Sequence, residues 1–333
     1  MYTENRVKLS VLLLSYNHEK YIKQTLDSII SQKTDFRIKI IIHDDASTDK
    51  SQDIINEYIS KYPELITGIL QEENQFSKGA NIFSDFMRQY IEGDYVAYCE
   101  CDDYWIDEYK LQKQVDFLDA HPDYTACMHN CIMVNQDNEE IDCVYSIYTP
   151  YKTHTYSLTR LALNNSFPGQ TASKVFRSKY MFYKTKEEEI AVNKLRTNGD
   201  VINNLYLLLN GKVYCMEDFM SAYRVVQAEG SSWTAANYGK NLSDRYFISS
   251  LDLRNYAKNF YNVKYKNYLV TFHSGLAACI KYLFRPNKEN QLVYQNVKKE
   301  KRFFYLYLFG MGILSLPQFL EKKLDEMNYR LEK

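Results

Sequence analysis

Short apolar runs alternate with helix-spaced apolar stripes through the N-terminal part of the chain. Leu9-Ser10-Val11-Leu12-Leu13-Leu14 is an apolar run bounded by polar residues, the pattern of a strand covered on both faces. Ser15-Tyr16-Asn17-His18 turns the chain, and Tyr21, Ile22, Leu26, Ile29 and Ile30 recur at helical spacing. Ile38 to Ile42 reads as a second strand. It ends in His43-Asp44-Asp45-Ala46-Ser47-Thr48-Asp49, and Ile54, Ile55, Tyr58 and Ile59 mark a second helix. A third strand is expected over Leu65 to Leu70, a helix over Asn81 to Tyr90, and a strand over Tyr95 to Cys99. Farther on, the pattern predicts strands over Cys127 to Val134, Ala172 to Phe176, Val213 to Met216 and Ser221 to Val226. A turn falls at Asn135 to Glu140 and a loop at Ser166 to Gln170. Gly199-Asp200 opens an apolar helix, Val201 to Leu209, which Gly211 stops.

Strands alternating with helices imply an α/β fold, a Rossmann-like and mostly parallel sheet between helices. In such sheets ligands gather beyond the carboxyl ends of the strands. Three of those ends carry Ser15-Tyr16-Asn17, Asp44-Asp45 and Glu100-Cys101-Asp102-Asp103. After about Trp233 the texture changes: glycine and proline thin out and helical spacing dominates, as in Leu269, Phe272, Leu276, Ile280 and Leu283. The expected division is a sheet domain over residues 1–235 and a helical C-terminal region over 236–333.

The candidate chemistry sits in the acidic run. Carboxylates crowded at a strand end repel, and a divalent cation between them removes the repulsion and supplies charge for a bound phosphate. No glycine-rich phosphate loop is present to do that work in its place. The net charge of -1 gives no broad nucleic-acid surface, so nucleic acid is not an expected partner. Seven cysteines, an odd number without framework spacing, read as buried thiols in a reducing compartment. The polar start, Met1 to Lys8, is no signal peptide, so the expected location is the cytoplasm. Near the end, Phe303 to Leu316 follows the basic run Lys298-Lys299-Glu300-Lys301-Arg302 and is too short to span a bilayer. It suits a helix lying on the inner face of the plasma membrane, or equally a core or homo-oligomer interface helix.

Taken together, these motifs resemble the inverting family 2 glycosyltransferases with a GT-A fold, of the bacterial surface or capsular polysaccharide type. Val11-Leu12-Leu13-Leu14-Ser15-Tyr16-Asn17 is similar to that family's first strand and turn. Asp44-Asp45-Ala46-Ser47-Thr48-Asp49 resembles its Asp-Asp-x-Ser-Thr-Asp motif, Glu100-Cys101-Asp102-Asp103-Tyr104-Trp105 its Asp-x-Asp variant, and Tyr223-Arg224 the Tyr-Arg that closes the domain.

The resemblance implies transfer of a sugar from a nucleoside-diphosphate donor, with a UDP-sugar the expected one, to a glycan or lipid-linked acceptor. It makes Asp102 the ligand of Mn²⁺ or Mg²⁺, with Glu100 and Asp103 holding ribose or donor sugar. Tyr16 would stack on the base and Asp45 would accept from a base N–H, with Ser15, Asn17 and Asp44 completing the donor site. An inverting transfer also needs a base, and Asn198-Gly199-Asp200 resembles the family element that supplies it, which makes Asp200 the catalytic residue. The other reading of Asp200 is a helix N-cap. Two departures stand out. Cys101 replaces the glycine common between the first two acids, and no histidine follows Tyr223-Arg224, leaving Gln227 or Glu229 as substitutes. The competing functions are a nucleotidyltransferase, against which the glycine-free stretch Leu14 to Lys23 counts, and a non-catalytic sugar-nucleotide-binding protein of an assembly complex.

Overall fold

The computed structural model describes residues 6–141, 155–164, 170–226, 240–300 and 304–331. The chain divides into two compact units. One comprises Met1–Thr155, Pro168–Phe182 and Lys212–Tyr238; the other comprises Tyr156–Phe167, Tyr183–Gly211 and Gly239–Lys333. The division therefore does not fall at one boundary near residue 235. Residues 156–167 and 183–211 belong with the C-terminal helices, because they pack on those helices.

In the first unit, β1 (Val7–Ser15), β2 (Arg37–Asp44), β3 (Ile66–Leu70), β4 (Tyr95–Glu100), β5 (Tyr104–Trp105), β6 (Tyr124–Val134), β7 (Val175–Arg177) and β8 (Lys212–Arg224) form one sheet. Their order is β3-β2-β1-β4-β7-β6-β8-β5. β1 runs parallel to β2 and β4, β2 to β3, and β6 to β8. β7 lies antiparallel between β4 and β6, and β5 antiparallel to β8. Helices α1 (Ile22–Ile30), α2 (Ser51–Lys61) and α3 (Lys110–Ala120) cover it. Leu9, Val11 and Leu13 pack with Ile40, Ile42, Ile22 and Leu26, while Leu12 and Ile41 are buried on the opposite face. Both faces of β1 are thus covered, as its unbroken apolar run requires.

Register then builds the functional edge. Ser15 lies opposite Asp44, and Leu14 opposite Glu100, so three polar strand ends reach the same edge of the sheet.

Three elements differ from the sequence pattern. Residues 83–90 form a wide helical turn and a tight 3₁₀ turn, not a regular helix, and the Asp85 and Asn81 side chains take the Asn81 and Ser84 N–H groups. β8 is a single strand where two were expected. Exposed Glu217 and Asp218 interrupt its apolar pattern at a bulge against β6, where Asn130 Nδ2 donates to the Glu217 carbonyl at 3.0 Å. α3 was not anticipated, although Leu111, Val115 and Leu118 carry a helical stripe and are fully buried.

The second unit is helical: α4 (Leu158–Asn164), α5 (Lys186–Val192), α6 (Gly199–Asn210), α7 (Ser243–Tyr261), α8 (Tyr268–Phe284), α9 (Lys288–Lys299) and α10 (Phe304–Leu331). Phe247, Leu251, Ala278, Val293, Val297 and Leu308 form its core. Among the described residues no helix is long and apolar enough to cross a membrane.

The turn entering β4 is a tight point of this fold. Gly93 has φ 87°, and a Cβ there would sit 2.4 Å from the Lys8 carbonyl oxygen of β1. Gly93→Ala should therefore cost about 2 kcal/mol or more of stability, because both the left-handed backbone and the close approach resist a side chain. Urea unfolding with an unchanged m-value would measure the loss; an unshifted midpoint would contradict it.

Candidate active site

The loops after β1 and β2 are tied to each other. Asn17, at φ 57°, donates its N–H to Ser47 Oγ at 2.8 Å and accepts the Thr48 N–H on Oδ1 at 2.8 Å. The His18 N–H donates to Ser51 Oγ at 2.8 Å. Asp44 is fully buried. Its Oδ1 accepts from the Ser47 N–H at 2.9 Å and Gln52 Nε2 at 2.8 Å, and its Oδ2 accepts from Ser47 Oγ. Ala46 is held at φ 63°, a conformation an alanine adopts only when its surroundings impose it. Asp45 donates its N–H to the Ser15 carbonyl at 3.0 Å. Its carboxylate takes the Gln75 and Phe76 N–H groups at 2.7 and 3.1 Å, at the start of the 3₁₀ turn Phe76–Lys78. Ser15 Oγ is buried with no partner, and Tyr16 beside it is half-buried.

The acidic loop follows β4. From Tyr98 to Trp105 burial alternates residue by residue: Glu100 and Asp102 are partly exposed, whereas Cys99, Cys101, Asp103 and Trp105 are buried. Thr25 Oγ1 lies 2.6 Å from the Asp103 carbonyl and 3.0 Å from that of Cys101, pinning the loop to α1. Asp103 is fully buried. Its Oδ1 accepts the Arg224 N–H at 2.9 Å and its Oδ2 accepts Gln170 Nε2 at 2.7 Å. Burial pushes this carboxyl well above the usual range, and nearby Asp102 and Glu100 add to the shift, while Arg224 pulls against it.

Arg224 is itself buried. Its Nε donates to the Asp102 carbonyl at 2.8 Å, Nη1 to that of Asn135 at 3.2 Å, and Nη2 to Gln24 Oε1 at 2.9 Å. Its guanidinium carbon lies 4.5 Å from the centre of the Tyr21 ring.

Carboxylate oxygens of Glu100, Asp102 and Asp103 lie within 4.8 Å of one another. An all-oxygen donor set of this kind fits a hard divalent cation. Both Asp103 oxygens are already engaged inside the protein, whereas Asp102 and Glu100 are partly exposed. Beneath the loop, Trp105 donates its indole N–H to the Ala172 carbonyl at 3.1 Å. Lys110 Nζ stands 4.2 Å from the Trp105 ring and donates to Gln114 Oε1 at 2.9 Å. Burial pushes Lys110 down to about 7.

Ser15, Tyr16, Asn17, Asp44, Asp45, Glu100, Asp102 and Asp103 thus all belong to the sheet unit. Asp200 belongs to the helical unit. It is exposed in the first turn of α6, and the cap position is taken by Asn198, so Asp200 is not the N-cap. Gln227 and Glu229 lie outside the described residues. The roles of Gln170, Thr25 and Gln24 in fixing the loop had no local signal, since their partners are remote in sequence.

Removing the Arg224 guanidinium would leave the Asp102 and Asn135 carbonyls and Gln24 Oε1 without their buried donor. Arg224→Met should cost about 3 kcal/mol of stability in urea unfolding. A loss under about 1 kcal/mol would mean that these contacts do not hold the loop.

The sequence matches glycosyl transferase family 2 over residues 10–183. TuaG of Bacillus subtilis, named for teichuronic acid biosynthesis, is 31% identical over 231 residues, which cover 68% of this chain and 84% of TuaG. An uncharacterized protein of Mycobacterium tuberculosis is 44% identical over 129 residues, 39% of this chain; the chain spans only 36% of that relative's length. Among solved structures, Staphylococcus aureus TarS 1–349 in complex with UDP-GlcNAc superposes with a TM-score of 0.63 at 18% identity, covering 98% of this chain and 93% of that one. The mannosyltransferase PcManGT from Pyrobaculum calidifontis, in complex with GDP-Man and Mn²⁺, gives a TM-score of 0.51 at 14% identity, covering 93% and 85%. At such identities the structural likeness speaks to the fold alone. The family match over more than half the chain, with the TuaG relationship, settles the membership: the chain belongs to glycosyl transferase family 2, with a GT-A fold and a helical C-terminal region.

Proposed function

We propose that the chain transfers a sugar, with inversion, from a nucleoside-diphosphate donor to a glycan or lipid-linked acceptor during synthesis of a bacterial surface polysaccharide. The observation that carries this reading is the convergence of Glu100, Asp102 and Asp103 at the carboxyl end of β4, beside the ends of β1 and β2. A UDP-sugar is the favoured donor, in line with the UDP-GlcNAc complex of TarS. Surface polysaccharide synthesis is in line with the name of TuaG.

When bound, Mn²⁺ or Mg²⁺ supplies positive charge against the diphosphate leaving group. Asp102 is the ligand assigned to it, with Glu100 beside it facing the donor. Asp103 serves from inside: with both oxygens engaged, it fixes the loop that presents Asp102. Tyr16 offers a ring for the base, and Asp45, already holding its own loop, keeps lone pairs for a base N–H. Ser15 Oγ, buried without a partner, is a hydrogen-bonding group left for the donor. Asn17 locks the two donor loops together through Ser47, which Asp44 holds in place. Asp200 takes the proton of the acceptor hydroxyl as that oxygen attacks the anomeric carbon, and a carboxylate not committed to capping its helix suits that role.

Thermal-shift measurements with UDP-, GDP- and dTDP-sugars, each with and without Mn²⁺, should show stabilisation by one nucleotide class that depends on the ion. Asp102→Asn should abolish the ion-dependent stabilisation and lower donor hydrolysis and transfer by about a hundredfold or more, with the melting temperature of the free protein unchanged. Full activity in that variant would remove Asp102 from the site. Asp200→Asn should keep donor affinity near that of the parent protein while transfer falls by about 10²–10⁴-fold. Loss of donor binding instead would make Asp200 a structural residue.

A further inference from the structure

In the helical unit, α10 is apolar on more than the face it buries. Leu308, Met311, Ser315 and Gln318 point inward, one helical turn apart. Leu308 meets α8 at Gly275, Gly312 meets Phe272, and Gln318 Oε1 accepts the Leu269 N–H at 3.0 Å, so α10 runs antiparallel to α8. Phe309, Ile313, Leu316 and Leu320 form a second stripe at helical spacing, and all four are exposed, Phe309 at 71%. That stripe extends about 17 Å along the helix. At the other end of the pairing, where α8 approaches the start of α10, Leu283 and Phe284 stand 73% and 80% exposed. Six large apolar side chains left in water on two packed helices mark an interaction surface.

The charge around them identifies the occupant. Between residues 264 and 300 the sequence holds seven Lys or Arg and two Asp or Glu, in a chain whose net charge is -1. Lys281, Arg285 and Lys288 are exposed within four residues of the Leu283-Phe284 tip. The two acids are engaged elsewhere: Glu289 accepts the Asn241 N–H at 2.8 Å, and Glu300 pairs with Arg196 at 2.7 Å. A two-fold contact with a second copy would set this basic rim against itself. Exposed apolar side chains beside basic ones are the pattern of an element that lies on a bilayer surface. We propose that the helical unit docks on an anionic phospholipid surface, with Leu283, Phe284 and the outer stripe of α10 in the acyl boundary and the flanking Lys and Arg at the headgroups.

Sedimentation of the full chain with vesicles tests this independently of any transfer activity. The protein should pellet with phosphatidylcholine–phosphatidylglycerol vesicles and far less with phosphatidylcholine alone, and high salt should release it. Leu283→Ser/Phe284→Ser should lower the partition coefficient by about tenfold or more, with the melting temperature retained. Lys281→Ser/Arg285→Ser should weaken binding to the anionic vesicles only. Failure of the parent protein to pellet with either vesicle, or unchanged partitioning of Leu283→Ser/Phe284→Ser, would overturn the proposal. So would a dimer, seen by analytical ultracentrifugation, that this double variant dissolves while the parent ignores vesicles: the face would then belong to a second copy.

Discussion

Two buried ionisable groups that never touch through their charged ends hold the acidic loop after β4 in place. The Asp103 carboxyl accepts the backbone N–H of Arg224, and the Arg224 guanidinium donates to the backbone carbonyl of Asp102. Taking either group out of water without partners would cost several kcal/mol, and each is compensated by ordered dipoles of the other's segment. The exchange joins the loop after β4 to the end of β8. Gln170 ties in the segment before β7, and Gln24 with Thr25 ties in α1. Asp102 is thereby fixed on both sides, by its own carbonyl and by the side chain of its neighbour. Its carboxylate needs little reorganisation to meet a ligand.

That constraint explains why the crowded acids do different work. A carboxyl at full burial with two donors on it is a structural element, whereas one half-exposed beside it can bind. Asp44 and Asp45 repeat the division less sharply. Asp44 spends its oxygens on Ser47 and Gln52, and Asp45 organises the following turn while remaining at the edge of the strand ends. In both pairs the backbone N–H groups of tight loops, some with left-handed residues such as Asn17 and Ala46, are satisfied by neighbouring side chains. The loops after β1 and β2 are consequently held in place by the protein's own bonds.

Much of this was legible in the sequence. The runs at Leu9 to Leu14, Ile38 to Ile42 and Tyr95 to Cys99 became adjacent strands, and their polar ends met at one edge because parallel register aligned them. What could not be read were the long-range partners. Gln170 and Arg224 lie 67 and 121 positions from Asp103, and no local pattern announces such pairs. The split of β8 into two expected strands had a different cause: a bulge exposes Glu217 and Asp218, and exposed acids inside a strand look like a turn. The grouping of 156–167 and 183–211 with the C-terminal helices was equally hidden, since it depends on which apolar faces find each other.

The individual fates of Glu100, Cys101, Asp102 and Asp103 did have a signal in the sequence: the period of two that a strand imposes. Carrying the alternation of β4 past its last residue puts Cys99, Cys101, Asp103 and Trp105 on the covered side and Glu100, Asp102 and Tyr104 on the other, which is the burial found. Cys101 then replaces a glycine at little cost, because its small thiol points inward, where burial and the nearby Asp102 and Asp44 push its pKa up and keep it inert. Trp105 on the same side closes over Lys110, giving the loop a solid floor. The acidic run is a tight turn, closed by the Asp103 N–H on the Glu100 carbonyl at 3.0 Å, that keeps the alternation of the strand before it. One side anchors through Asp103, and the other presents Asp102 and Glu100.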